Sequence, residues 1–353
     1  MNEFKWMLYG ATGFTGKLII QEAVAAGLRP TIAGRSEEAL QALARQYDLD
    51  YQCFSLESPP QVALQLKGFQ AVYHAAGPFI YTSETMVQAC LLAGVHYLDI
   101  TGEISILKRL FELDEPAKQR GIAILPGVGF DVIPTNCMAK YVADQLPDAT
   151  RLYIGIAGMT QVTAGTSKSF VEMLPEGAAI LKDGVLESHP YGYKSRKIRF
   201  SDKEHTATLA PWGDIYTAYP TTGIPNISAY MAMSPVAIQV VKFAGGFGQW
   251  LFAHETMRKI TYRLIETFVK GPSQKSMDHL RSYIWVRAEN ETESVEAWLE
   301  TIEAYAFTAK AAVKVMERLS TLEISGVHAP AMAFGADFVL EIEGSQRFDQ
   351  LPA

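Results

Sequence analysis

Gly10, Gly13 and Gly16, in the stretch Met7-Leu-Tyr-Gly-Ala-Thr-Gly-Phe-Thr-Gly16, directly follow an apolar run and open a segment of helical period. A strand that ends in such a turn and feeds a helix is tightly constrained. The first glycine admits a sharp turn, the second lets backbone N–H groups approach an anion with no Cβ in the way, and the third lets the helix lie against its strand. This arrangement suits the pyrophosphate of a dinucleotide, with Gly10, Ala11, Thr12, Gly13, Phe14, Thr15 and Gly16 as its contacts. The spacing G-x-x-G-x-x-G is less common than G-x-G-x-x-G, and three spaced glycines alone also fit an ordinary turn. The strand before and the helix after carry the assignment.

About twenty residues beyond such glycines, an NAD site places an acid against the ribose 2′-hydroxyl. Here the chain reads Thr31-Ile-Ala-Gly-Arg35-Ser36, with a guanidinium where the acid would stand. A planar fork of donors suits a 2′-phosphate, and the Ser36 hydroxyl adds a further donor, so NADP(H) is the expected cofactor. Ser36 also fits a plain N-cap for the helix that begins at Glu37.

Apolar runs alternate with helical periods through the first 130 residues or so, the pattern of a parallel sheet wound on both faces. Strands are expected near Lys5–Tyr9, Arg29–Ala33, Tyr51–Leu56, Ala71–Ala75, His96–Ile100 and Ile122–Leu125. Helices are expected near Thr15–Ala26, Glu37–Tyr47, Pro60–Leu66 and Glu84–Ala93, with a broken stretch from Ile104 to Arg120. At 353 residues the chain exceeds the size of one core. The expected division is a Rossmann domain over 1–134, a second α/β (α+β) domain over 135–325, and a C-terminal segment, 326–353, whose destination periodicity does not give. In the second domain strands are expected over Arg151–Gly155, Lys197–Ser201, Tyr283–Ala288 and Val295–Glu303, then a helix over Thr308–Leu319 and a strand-like run at Phe338–Ile342.

A net charge of −7 and a pI near 5.6 argue against a nucleic-acid partner, and the one basic run, Lys194-Ser-Arg-Lys-Ile-Arg199, is short. Cys53, Cys90 and Cys137 are widely spaced in apolar surroundings, which suits reduced core thiols in a cytoplasmic protein, and the first strand begins too early for a leader peptide. Residues 235–253 are almost wholly apolar, but Lys242 and the glycines 245, 246 and 248 argue against a spanning helix. The expected role is lining a core or apolar substrate pocket; peripheral membrane or lipid contact through Phe247, Trp250, Leu251 and Phe252 is the second reading.

Three further segments fall at the carboxyl edge of the expected sheet, where the crevice of such folds lies. The fourth strand ends His74-Ala75-Ala76-Gly77-Pro78-Phe79, whose small residues let a nicotinamide ribose pack on backbone. The fifth ends Asp99-Ile-Thr101-Gly102-Glu103, and the sixth leads into Pro126-Gly-Val-Gly-Phe-Asp131. Glu103 and Asp131 are the candidate catalytic acids, able to orient substrate or shuttle a proton, though either also fits a cap or ion-pair role. Asp99 fits a turn-bonding role equally well. No metal-ligand spacing is present in the sequence.

The chain resembles the saccharopine dehydrogenase-like oxidoreductases, in particular the bacterial branch that includes trans-acting enoyl reductases. The matching stretches are Tyr9-Gly-Ala-Thr-Gly-Phe-Thr-Gly16, Ala33-Gly-Arg-Ser36, Ala76-Gly-Pro-Phe79, Tyr97-Leu-Asp-Ile-Thr-Gly-Glu103 and Gly129-Phe-Asp-Val-Ile-Pro-Thr135, followed by Asp183-Gly184 and Pro211-Trp-Gly-Asp214. Asn136 stands where relatives often carry Asp. The resemblance implies a Rossmann domain joined to a second domain whose open sheet serves pairing, as in a homodimer, or substrate enclosure, with the C-terminal segment 326–353 returning to and packing on the first domain. It also implies a small-molecule substrate and an NADP(H)-dependent oxidoreductase. The apolar segments around Trp212 and 243–252 favour a hydrophobic carbonyl, imine or enoyl compound. A short-chain-type reductase is the rival, since Tyr193 and Lys197 have the spacing of its proton-donating pair, and a non-catalytic NADP-binding protein at a lipid surface is a third reading.

Overall fold

A computed structural model describes residues 4–159, 161–234, 236–239, 250, 252, 254–269 and 271–351. The chain forms two compact units, the first built from 1–101, 105–131 and 305–333, the second from 102–104, 132–304 and 334–353.

The first unit is a seven-stranded parallel sheet. Its strands are β1 (Trp6–Tyr9), β2 (Thr31–Gly34), β3 (Tyr51–Cys53), β4 (Ala71–His74), β5 (His96–Asp99), β6 (Ala123–Leu125) and a seventh, Gly326–Val327. Every residue of β1 and β4 is buried, as befits strands covered on both faces. Helices α1 (Phe14–Ala25), α2 (Glu37–Tyr47), α3 (Pro59–Gln65) and α4 (Phe79–Ala93) connect β1 to β5, with α5 (Ile104–Phe111) and α6 (Asp114–Arg120) ahead of β6. Met7, Val72, Met86, Val87, Tyr97 and Ile124 join one apolar core. The sheet runs β3-β2-β1-β4-β5-β6, so direction reverses between β1 and β4. Tyr9 pairs with both Ala33 and His74, which brings the turns after β1 and β4 out side by side at the carboxyl edge.

Two features of this unit differ from the sequence reading. Helix α4 starts at Phe79, five residues before the expected Glu84, because Phe79 and Ser83 are buried and tertiary contact outweighs the weak local propensity of this stretch. The chain also returns earlier than 326. The helix Ala304–Leu319 already belongs to this unit from Tyr305, burying Phe307, Ala311, Val315 and Leu319 along one face. After 333 the chain goes instead to the second unit, so the segment 326–353 is divided between the two.

The second unit centres on a mixed sheet of β7 (Arg151–Ala157), β8 (Ala178–Lys182), β9 (Val185–His189), β10 (Ser195–Arg199), β11 (Glu204–Leu209), β12 (Asn226–Ala232), β13 (Arg281–Glu289) and β14 (Ser294–Ile302), with Gln346–Phe348 beyond β14. Among the described residues only the β12–β7 pair of this sheet is parallel. Asp183 and Gly184 link β8 to β9 with φ of 49° and 77°, the geometry of a two-residue turn with both residues left-handed. The basic run 194–199 is largely β10, which ends the sheet on one side; Lys197 pairs with Glu204, and Arg196 lies over the rings of Tyr153 and Trp285. The apolar run expected as a strand at 338–342 is a 3₁₀ helix, Ala336–Glu341; short apolar runs do not distinguish the two, and burial of Phe338, Val339 and Ile342 is met by the helical turn.

Candidate cofactor-binding site

The loop from β1 to α1 is closed by its own backbone. Gly10 N and Ala11 N both donate to Ala33 O, at 2.9 and 3.2 Å, and Gly13 N donates to Gly10 O at 3.0 Å. Gly10 has φ of +91°, and a Cβ there would stand 2.8 Å from the backbone of Ala75 and Ala76. A Cβ on Gly16 would fall on the Gly10 carbonyl oxygen. The loop therefore admits only glycine at these two points. Gly13, at the N-cap of α1, supplies no side-chain acceptor, and the first turn carries no acid. Its first N–H groups and the positive end of the helix dipole are left for an external anion, so the residues present fit a dinucleotide pyrophosphate.

Ala75, Ala76, Gly77, Pro78 and Phe79 form the loop alongside, where Ala75 N donates to Tyr9 O at 2.8 Å and the Gly77–Pro78 peptide is cis. Below it, Thr82 Oγ1 donates to Ala76 O at 2.8 Å and lies 3.0 Å from His74 Nε2. Thr82 has one proton to give, so it accepts from Nε2–H, and His74 Nδ1 is left bare with no partner. Burial pushes the His74 pKa down to about 3, which keeps the ring neutral. The sequence reading saw His74 only as the start of a motif; Thr82, the residue that pins the loop, carried no signal.

Arg35 follows β2, exposed, with no ion pair or hydrogen bond among the described residues. Ser36 is the extended N-cap residue of α2, with φ of −105°, and its hydroxyl makes no capping bond. Both side chains are thus available beside the turn after β1, just beyond a strand that pairs with β1 through Tyr9 and Ala33.

Residues 6–125 match the model of the saccharopine dehydrogenase NADP binding domain. The matched stretch runs from the first residue of β1 to the last of β6. A human protein named saccharopine dehydrogenase-like oxidoreductase is 26% identical over 210 residues, covering 54% of this chain and 46% of that protein. A trans-acting enoyl reductase of Mycobacterium tuberculosis is 32% identical over 143 residues, covering 38% of this chain and 34% of the other. The chain thus spans less than half the length of the curated relatives it matches. Across 98% of this chain and all of the other, its fold is that of the saccharopine dehydrogenase (L-Glu forming) from Saccharomyces cerevisiae, with a TM-score of 0.66 at 11% identity.

The acids that end or follow β5 and β6 differ sharply in their surroundings. Asp99, at the end of β5, is fully buried; Oδ2 accepts from Tyr97 OH at 2.7 Å, and Oδ1 accepts from Thr101 N and Gly127 N at 3.0 and 2.9 Å. Burial raises its pKa to about 6 despite those donors, and its work is to tie the turns after β5 and β6 together. Asp131 is half-buried, has no hydrogen-bond or ion-pair partner among the described residues, and is pushed up to about 6 by loss of solvent. Glu103 counts with the second unit, where it is buried and accepts from Ser169 Oγ at 2.8 Å.

Other expected site residues fall elsewhere. Trp212, expected at an apolar pocket, is buried in the second unit with its indole N–H on Thr135 Oγ1 at 3.2 Å. Thr135, Asn136 and Thr217 all donate to the buried Asp214 carboxylate. A neutral Asn136 fits there, because an acid in its place would set two carboxylates against each other. Tyr193 is exposed and stacks on His189, while Lys197 is on a strand and not a helix, so the pair lacks the geometry of a short-chain reductase. Most of 235–253, including Lys242, Phe247 and Leu251, lies outside the described residues. Cys90 and Cys137 are buried free thiols, but Cys53 is exposed at the end of β3, because this three-residue strand has no core face at that point. Among the described residues no helix is long and apolar enough to cross a membrane, and no group of His, Cys, Asp and Glu side chains could hold a metal ion.

Proposed function

We propose that the chain is an NADP(H)-dependent oxidoreductase that reduces or oxidises a small hydrophobic carbonyl, imine or enoyl compound. The observation that carries this reading is the pairing of a glycine-only cradle with Arg35 in place of the ribose-binding acid. The bound nicotinamide would supply or accept the hydride. The chain's own contribution is binding and proton handling: Gly10, Gly13, Phe14, Thr15 and Gly16 hold the pyrophosphate, Arg35 and Ser36 the 2′-phosphate, and Ala75 to Phe79 the nicotinamide side. Asp131 is the proposed proton donor or acceptor, since a half-buried carboxyl with a pKa of about 6 releases and takes up a proton near neutrality.

The hydrophobic substrate class is supported by the apolar composition of 235–253 and by similarity to a protein named as an enoyl reductase. The test is NADPH oxidation by the purified chain offered a panel of hydrophobic aldehydes, ketones, cyclic imines and enoyl thioesters beside saccharopine. Turnover of one hydrophobic class is expected. Preference for saccharopine, or NADPH binding with no turnover of any compound, contradicts the proposal.

A further inference from the structure

Glu37 poses an electrostatic problem for the Arg35 reading. It is the first residue of α2, two positions after Arg35, and an ionised carboxylate there is favoured by the helix N-terminus. A free Glu37 side chain would repel a 2′-phosphate or compete for the guanidinium. It is not free: Tyr51 OH donates to Glu37 Oε1 at 2.8 Å, Gln41 Nε2 donates to the same oxygen at 3.0 Å, and the Cys53 thiol adds a third donor. Tyr51 and Cys53 belong to β3, and Gln41 lies one turn along α2. These donors, Tyr51 first, hold the Glu37 pKa below the ordinary range, so the carboxylate is ionised yet turned toward β3.

We infer that Tyr51 and Gln41 are specificity-determining residues for NADP(H): they hold the Glu37 charge against β3 and so keep Arg35 available to the 2′-phosphate. The inference rests on the reading of Arg35 given above. It requires no contact between Tyr51 or Gln41 and the nucleotide. Their effect passes through Glu37 alone, which makes it separable from a general loss of structure.

The experiment measures dissociation constants for NADPH and NADH by intrinsic fluorescence, with no turnover involved, in wild type, Tyr51→Phe/Gln41→Ala, Glu37→Gln and the triple variant. The double variant is expected to bind NADPH about threefold to fivefold more weakly, the range that screened surface charges deliver, with NADH unchanged. Adding Glu37→Gln is expected to restore NADPH affinity. Equal losses for both nucleotides, no loss, or failure of Glu37→Gln to restore binding overturns the inference. Arg35→Ala in parallel separates the two levels: if it leaves the NADPH preference intact, the Arg35 reading fails and the inference with it. If it abolishes the preference while the double variant has no effect, only the inference fails.

Discussion

Tyr97 donates a 2.7 Å hydrogen bond to Asp99 Oδ2 two residues further along β5, while the other oxygen of the same carboxylate accepts two backbone N–H groups from turns at the sheet edge. One buried acid thereby fixes the turns after two neighbouring strands. Asp99→Ala would remove the acceptor that three buried donors share. The expected cost is about 2–4 kcal/mol, read as a lower urea midpoint at unchanged m-value. A change within experimental error would show that these turns are held by other contacts.

His74 gives the fold a defined acid sensitivity. Its native pKa of about 3 lies below the ordinary 6.5, so as pH falls through 6.5 the unfolded chain takes up a proton that the native chain refuses until about pH 3. Stability contributed by the neutral ring is therefore complete above 6.5 and drains away below it. His74→Gln is expected to flatten the fall in unfolding free energy between pH 6.5 and 4 by up to about 1.4 kcal/mol per pH unit. An unchanged slope in urea titrations over that range would contradict the assignment of a buried neutral ring.

Asp131 has the opposite sign. Its native pKa, raised from 3.8 to about 6, means that folding penalises the ionised form; the penalty is complete above pH 6 and is relieved as pH falls from 6 towards 3.8. Asp131→Asn is expected to stabilise the chain by up to about 3 kcal/mol at pH 8 and by about a third of that at pH 4.5. The same change is expected to lower turnover about 100-fold, the usual scale for a lost acid–base group. Gain of stability with loss of activity marks a functional acid; loss of both would mark a structural one.

The glycine turn admits a graded test. A Cβ at position 16 overlaps the Gly10 carbonyl, whereas one at position 13 stands 3.2 Å from the same oxygen. Gly16→Ala is expected to cost about 1–3 kcal/mol and to lose nucleotide binding, and Gly13→Ala to do less of both. Thermal unfolding with and without NADPH reads both quantities. Equal behaviour of the two variants would mean that the loop yields more easily than its packing indicates.

The first unit was legible because its physics is local. Strands buried on both faces, such as Trp6–Tyr9 and Ala71–His74, are short apolar runs, and Gly10, Gly13, Gly16 and Arg35 announce themselves by spacing. What escaped depends on distant partners. β11 and β12 are short, partly polar strands ordered by their neighbours in a mixed sheet, and nothing near them in sequence gives their register. The early return of the chain at Tyr305 is set by packing of Phe307 against Phe130 and by Phe130 N donating to Thr308 Oγ1 at 3.1 Å, contacts almost 180 residues apart. Asp99 and Asp131 look alike in sequence, and only burial and hydrogen bonding separate a tie between turns from an unpartnered acid.

The account stands most directly on cofactor choice. Titration of the purified chain with NADPH and NADH, repeated with Arg35→Ala, is expected to show clear preference for NADPH in the wild type and loss of that preference in the variant with NADH affinity retained. Wild-type affinity that is equal for the two nucleotides, or absent for both, would contradict it.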